Sequence, residues 1–204
     1  MTPAREKKFR EVISKRQTGL TVVLENIHDP HNISAILRTC DAVGILEVYV
    51  INTRDVLKKK LGKKSSASAR KWVKVHYFNS VEDCVLKLRE NGFSIYATHL
   101  SADAHNLYDL DLSKPVALAF GNEHAGVSDE LLAHADGNFI IPMMGMIPSL
   151  NVSVACAVSL YEALRQRDKE KMYNNPALSA HQLAELYTEW SGEELINSEP
   201  STDN

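Results

Sequence analysis

Residues 20–51 read LTVVLENIHDPHNISAILRTCDAVGILEVYVI, and their pattern decides the fold. The stretch opens on the apolar run LTVVLENI and closes on EVYVI, both rich in β-branched residues as strands are. Between them the periodicity changes from two to 3.6. Asp29 is suited to cap a helix and Pro30 to begin one, because proline lacks the N–H that a first helical residue leaves unpaired. A helix over Pro30–Val43 puts Ile33, Ile36, Leu37 and Cys40 on one face at core spacing. His31, Ser34, Arg38 and Ala42 fall on another face. Strand, helix and strand in this order form a unit that requires parallel pairing.

The same alternation continues along the chain. KVHYF, FSIYATHL, PVALAFG and GNFIIP read as further strands, several of them continuously apolar, as in a sheet covered on both faces. Val81–Asn91, Ser128–Ala135 and Leu150–Gln166 read as helices. Asn91-Gly92 makes a good helix stop. The expected architecture is α/β, with a mostly parallel sheet flanked by helices. A separate N-terminal helix presents Phe9, Val12 and Ile13. A last amphipathic helix beyond Asn174 presents Leu183, Leu186, Tyr187 and Trp190, and the closing NSEPSTDN reads as disordered. The divisions expected are residues 1–18, 19–170 and 171–204.

Composition places the chain among globular proteins: 204 residues, 44% hydrophobic and 24% charged. Cys40, Cys84 and Cys156 are far apart and share no CxxC spacing, so they read as buried thiols in a reducing compartment. With no apolar run of membrane-spanning length and a charged first segment, the expectation is a cytoplasmic protein with no membrane partner. The net charge of −3 is unevenly distributed. From Asn175 onward there are six acidic residues and no Lys or Arg, which leaves the rest with 23 basic against 20 acidic residues. The positive charge concentrates in Arg5–Arg16 and in RDVLKKKLGKKSSASARKWVK, Arg54–Lys74. Such patches are solvated faces in many proteins and steer polyanions in others.

In open parallel sheets, ligands bind beyond the carboxyl ends of the strands. Three loops there are unusual. His28, Asp29 and His31 resemble a metal cluster, but no further His or Cys is near in sequence to complete one, and no metal is expected. LAFGNEHAGVSDELL, Leu118–Leu132, has glycines at 121 and 126, the wrong spacing for a dinucleotide pyrophosphate loop. IPMMGMIPSLNVSVACAVSLYEALRQR, Ile141–Arg167, leads from a Met-rich loop through Ser149, Asn151 and Ser153 into a helix of small residues. Capping accounts for one of these three polar residues and not easily for all.

PHNISAILRTCDAVG, GNEHAGVS and the Ile141–Arg167 stretch together resemble motifs 1, 2 and 3 of the SPOUT superfamily of RNA methyltransferases, most nearly the TrmH type of tRNA guanosine 2′-O-methyltransferases. The resemblance runs from about Arg5 to about Trp190. It implies a parallel α/β sheet whose C-terminal part forms a deep trefoil knot. It also implies S-adenosyl-methionine held in the knot loops, and a homodimer with the active site near its interface. The implied substrate is tRNA, at the 2′-hydroxyl of guanosine 18 in the D-loop. The alternatives are another tRNA position, rRNA, or a non-catalytic RNA-binding protein on the same scaffold. Relatives acting on ribosomes often carry an extra N-terminal domain, whereas about twenty residues precede the first strand here, which favours tRNA.

Carried over by motif, the implied catalytic residues are Asn32, Arg38, Glu123, Ser149 and Asn151. The implied cofactor contacts are Thr98, Leu100, Gly121, Asn122, Ile141, Met146 and Leu150. The implied RNA contacts are Arg5, Arg16, Arg165 and Arg167. The chain departs from the family pattern at Pro148, where relatives often have Gln, at His124, where many have Lys, and in its acidic C-terminal tail. The family account gives Arg38 the activation of the 2′-hydroxyl. A guanidinium stays protonated, so its expected part is to stabilise a developing alkoxide or to draw in the neighbouring RNA phosphate as proton acceptor.

Overall fold

A computed structural model describes residues 1–53 and 71–192. Most of the basic Arg54–Lys74 stretch and the NSEPSTDN end lie outside the described residues. The elements run α1 (Pro3–Ser14), β1 (Leu20–Glu25), α2 (Pro30–Ala42), β2 (Glu47–Ile51), β3 (Lys74–Phe78) and α3 (Val81–Glu90). They continue with β4 (Ser94–Thr98), β5 (His105–Asn106), β6 (Val116–Phe120), α4 (Asp129–His134), β7 (Gly137–Ile140), α5 (Val152–Lys169) and α6 (Ala180–Ser191). The seven strands form one sheet in the order β3-β2-β1-β6-β4-β7-β5. Every strand pair is parallel, including β1–β6, with Leu24 opposite Phe120, and β4–β6, with Ala97 opposite Ala119.

Alternation along the strands divides the core between two faces. Leu20, Val22 and Leu24 of β1 pack with Leu118 and Phe120 of β6 under α2 and α5, whose Ile33, Ile36, Leu37, Cys156 and Leu160 face them. Val23, Ile95, Ala117 and Ala119 point the other way, onto Val81, Cys84 and Leu88 of α3 and Leu131 of α4. Both faces are therefore covered, which is why the strand sequences are continuously apolar. β1 and β6 show this most fully, being buried at every position. The capping reading holds for α2: Pro30 is its first residue, and the Asp29 carboxylate accepts from His31 N at 2.8 Å. β2 and β3 begin and end where their sequences indicate. The two-residue β5 carries too short a pattern to be read, and α5 begins two residues later than expected because Asn151 is its cap.

The first and last helices, separate in sequence, meet in space. Phe9 and Ile13 of α1 pack with Tyr187 and Trp190 of α6 and with Trp72 beside β3. Arg16 follows α1 and is fully buried, its guanidinium lying over Trp190, donating to Ile45 O and paired with Asp41. This corrects the expectation that Arg16 contacts RNA: its charge is spent joining α1, α2 and α6. The same correction applies to Arg167, 1% exposed, which donates to the carbonyls of Gly19, Leu112 and Lys114 and to the Gln17 side chain.

All three cysteines are free and buried. Burial pushes the Cys84 thiol up to about 12 and those of Cys40 and Cys156 well above their ordinary value. The thiolate is the reactive form. Labelling with an alkylating reagent at neutral pH should therefore modify none of the three in the native protein and all three in denaturant, read by intact mass. Among the described residues, no helix is long and apolar enough to cross a membrane, and no group of three or more His, Cys, Asp or Glu is placed to hold a metal ion.

Candidate active site

Four adjacent strands, β1, β6, β4 and β7, end at the same edge of the sheet. All three unusual loops leave from those ends, so the sequence features meet where parallel sheets place ligands. The loop after β1 and the turn after β6 are joined at three points. Glu25, buried at the last position of β1, accepts from Ser128 N at 2.8 Å and from its hydroxyl. The Asn122 side-chain nitrogen donates to Asn26 O at 3.0 Å and reaches His28 Nδ1 at 2.9 Å. Asn32 in the first turn of α2 donates to Glu123 Oε1 at 2.8 Å.

The third loop joins through the same asparagine. Asn151 Nδ2 donates to Asn32 Oδ1 at 3.2 Å, while Asn151 Oδ1 caps α5 by accepting from Ser153 N and its hydroxyl. Asn32 is thus held from both ends, its amide nitrogen on Glu123 and its oxygen on Asn151. Three motif residues separated by 91 and 119 positions form one chain of hydrogen bonds. Arg38 lies on the same helix with its side chain exposed, and among the described residues it has no hydrogen-bond or ion-pair partner. A free guanidinium on the helix that carries Asn32 is available to an anionic or developing-anionic oxygen. Ser149 is exposed at the end of the Met loop. The structure thus links Asn32, Glu123 and Asn151 directly and leaves Arg38 and Ser149 open to solvent.

The turn after β6 is built for close backbone approach. A Cβ on Gly121 would sit 2.0 Å from the carbonyl carbon of Gly126 and 2.2 Å from Val127 N. Gly126 has φ +70°, and its N–H donates to Asn122 O at 2.8 Å, closing the turn. Gly121→Ala should therefore open the turn at a cost of about 2–3 kcal/mol, read as a lower urea midpoint. Beside it, Thr98 Oγ1 at the end of β4 donates to Ala119 O. Leu100 is 82% exposed and Met146 fully so, while Ile141 and Leu150 are half-buried. These strand ends bring backbone amides and carbonyls beside exposed apolar side chains, groups suited to a nucleoside carrying a thioether-derived tail. S-adenosyl-methionine fits this chemistry.

Of the RNA contacts implied by the motifs, Arg5 and Arg165 are exposed. Arg5 lies over the Phe9 ring, and Arg165 pairs with Glu162, whose carboxyl it holds below the usual carboxylate range. Sequence reasoning missed the contributions of Glu25, Asn26 and His28. The available signal was a pair of polar residues ending an apolar strand. Asn26 adopts φ +52° and locks its amide on Thr53, beyond the end of β2.

The chain matches the SpoU rRNA Methylase family over residues 19–161. It is 46% identical to the tRNA (guanosine(18)-2'-O)-methyltransferase of Thermus thermophilus over 189 residues, 93% of this chain and 96% of that protein. It is similar to the TrmH/SpoU tRNA modifying enzyme of Aquifex aeolicus, with a TM-score of 0.85 and 41% identity, covering 95% of this chain and 98% of that one. It is also similar to the SpoU methyltransferase AviRb of Streptomyces viridochromogenes solved in complex with AdoMet. There the TM-score is 0.66 and the identity 30%, covering 77% and 64% of the two chains. The parallel sheet, the three joined loops and these likenesses converge: the chain belongs to the SpoU rRNA Methylase family.

Proposed function

We propose that this protein is an S-adenosyl-methionine-dependent 2′-O-methyltransferase acting on guanosine 18 of tRNA. The observation that carries the reading is the Glu123–Asn32–Asn151 chain of hydrogen bonds on the helix that carries Arg38, unpartnered among the described residues, in a chain nearly half identical to a tRNA (guanosine(18)-2'-O)-methyltransferase. The cofactor, when bound, supplies an electrophilic methyl group. Backbone at Thr98, Leu100, Gly121, Asn122, Ile141, Met146 and Leu150 would hold it. Arg38 binds the ribose oxygen or the adjacent phosphate, stabilising negative charge as the 2′-hydroxyl loses its proton. Asn32, Glu123 and Asn151 fix the start of α2 and so the path of the Arg38 side chain, while Ser149 closes the pocket from the third loop.

RNA is engaged through Arg5, neighbouring lysines on α1, and Arg165. The divisions proposed are α1 as an RNA-engaging extension, residues 19–170 as the catalytic unit, and residues 171–204 as a C-terminal segment whose α6 braces α1. The interleaved order β6-β4-β7, with α5 returning to pack on α2, supports the trefoil threading of the family. Exposed Val154 and Tyr161 on α5, beside exposed Met144 and Ile147, support a homodimer formed on that face. A cytoplasmic location accords with the free, buried cysteines.

The test incubates the protein with labelled S-adenosyl-methionine and, separately, unmodified tRNA transcripts and rRNA fragments. Label in tRNA is expected. Label in rRNA alone overturns the substrate, and label in neither overturns the activity.

A further inference from the structure

The tautomer of His28 follows from its neighbours. Asn122 Oδ1 accepts from His124 N at 2.9 Å and Ala125 N at 3.1 Å, which fixes the orientation of the amide. Its nitrogen therefore faces Asn26 O and His28 Nδ1. The Asn26 carbonyl can only accept, so one amide hydrogen goes there, and the other points at the imidazole, whose Nδ1 at 2.9 Å is nearer than Glu123 Oε2 at 3.4 Å. Nδ1 must carry a lone pair, and the ring proton must sit on Nε2. A doubly protonated ring would set an N–H against the amide N–H and lose this bond.

This bond lies at a decisive place. Asn122 closes the turn in which Gly121 passes within contact of Gly126, and Asn26, strained to φ +52°, presents the carbonyl that completes the clamp. The titratable groups around the junction are Asp29 and His31 on the side of His28, and Glu123 and His124 on the facing turn. Asp29 is engaged with His31 N. Glu123 takes the Asn32 amide with one oxygen, and its other lies 3.4 Å from Asn122 Nδ2.

We propose that His28 is a positioning residue for the Gly121–Asn122 turn, holding the Asn122 amide through its Nδ1 lone pair, so that its loss loosens the cofactor site. This rests on the reading that the turn holds S-adenosyl-methionine. His28 touches no reacting atom. It acts by aiming Asn122, and its effect is on cofactor affinity rather than on turnover.

The test measures S-adenosyl-methionine binding by calorimetry for wild type, His28→Ala, His28→Asn and Gly121→Ala. Asparagine places an acceptor oxygen near the Nδ1 position. His28→Ala should weaken binding about fivefold, the worth of one hydrogen bond. His28→Asn should restore most of that affinity. In tRNA methylation, His28→Ala should raise KM for the cofactor and leave kcat within about twofold. Wild-type binding by His28→Ala, or no recovery of affinity in His28→Asn, overturns the role of His28. Wild-type binding by both His28→Ala and Gly121→Ala removes the cofactor from this turn, and the proposal with it.

Discussion

Arg38→Lys is expected to lower methyl transfer by at least about 10²-fold while S-adenosyl-methionine still binds, because removing one preorganised donor from a developing oxyanion costs on the order of 10²–10³ in rate. The positive charge survives this substitution, so a role in simple attraction of RNA would be largely spared. What is lost is the planar fork, which alone can hold a ribose oxygen and a phosphate oxygen together. Arg38 is suited to this because it stands on α2 and no other group among the described residues claims it. Its helix buries Ile33, Ile36, Leu37 and Cys40 against the sheet, and its first turn is tied to two other loops through Asn32. Single-turnover kinetics with tRNA, alongside calorimetry with the cofactor, separates the two effects. Near-normal turnover by the lysine variant would contradict the role given to Arg38.

Arg167→Leu is expected to destabilise the fold by on the order of 4 kcal/mol, since it strips donors from several buried acceptors at once. Burial pushes this guanidinium below its ordinary pKa. Its nitrogens nevertheless lie 2.6 Å from Gly19 O, 2.8 Å from Lys114 O and 2.9 Å from Leu112 O, with Gln17 Oε1 at 3.2 Å. These acceptors belong to the segment entering β1 and the segment entering β6, so one side chain on α5 holds together the starts of two central strands. Urea denaturation would show the loss as a lower midpoint. Arg165→Ala, two residues away on the exposed side, should lower the midpoint far less and weaken tRNA binding instead. An Arg167→Leu variant of wild-type stability with impaired tRNA binding would return that residue to the RNA surface.

The contrast between these arginines marks where sequence reading stops. Periodicity distinguishes a helix face that packs from one that does not, and it served for Arg38. Arg16 and Arg167 look equally exposed in sequence, because arginine is rarely buried. They are buried here because the fold gathers carbonyls around each and lays the Trp190 indole on Arg16, and those partners come from distant segments. The strands β2 and β3 were legible to the residue, since each is a short β-branched or aromatic run with clear punctuation. The joining of Asn32 to Glu123 and Asn151 was not legible from spacing, and only the motif resemblance placed them in one site. His28 and Asp29 show the reverse case. Their composition suggests a metal, whereas one takes an asparagine amide and the other caps a helix.

Mapping the product on paired transcripts shows whether the methyl group reaches the 2′-oxygen of guanosine 18. One transcript carries an ordinary guanosine at position 18, and the other carries 2′-deoxyguanosine there. After reaction, nuclease digestion and mass analysis should find one 2′-O-methylguanosine in the first transcript, at that position, and none in the second. Equal methylation of both transcripts, or a methyl on any base nitrogen, would rule out transfer to that 2′-oxygen.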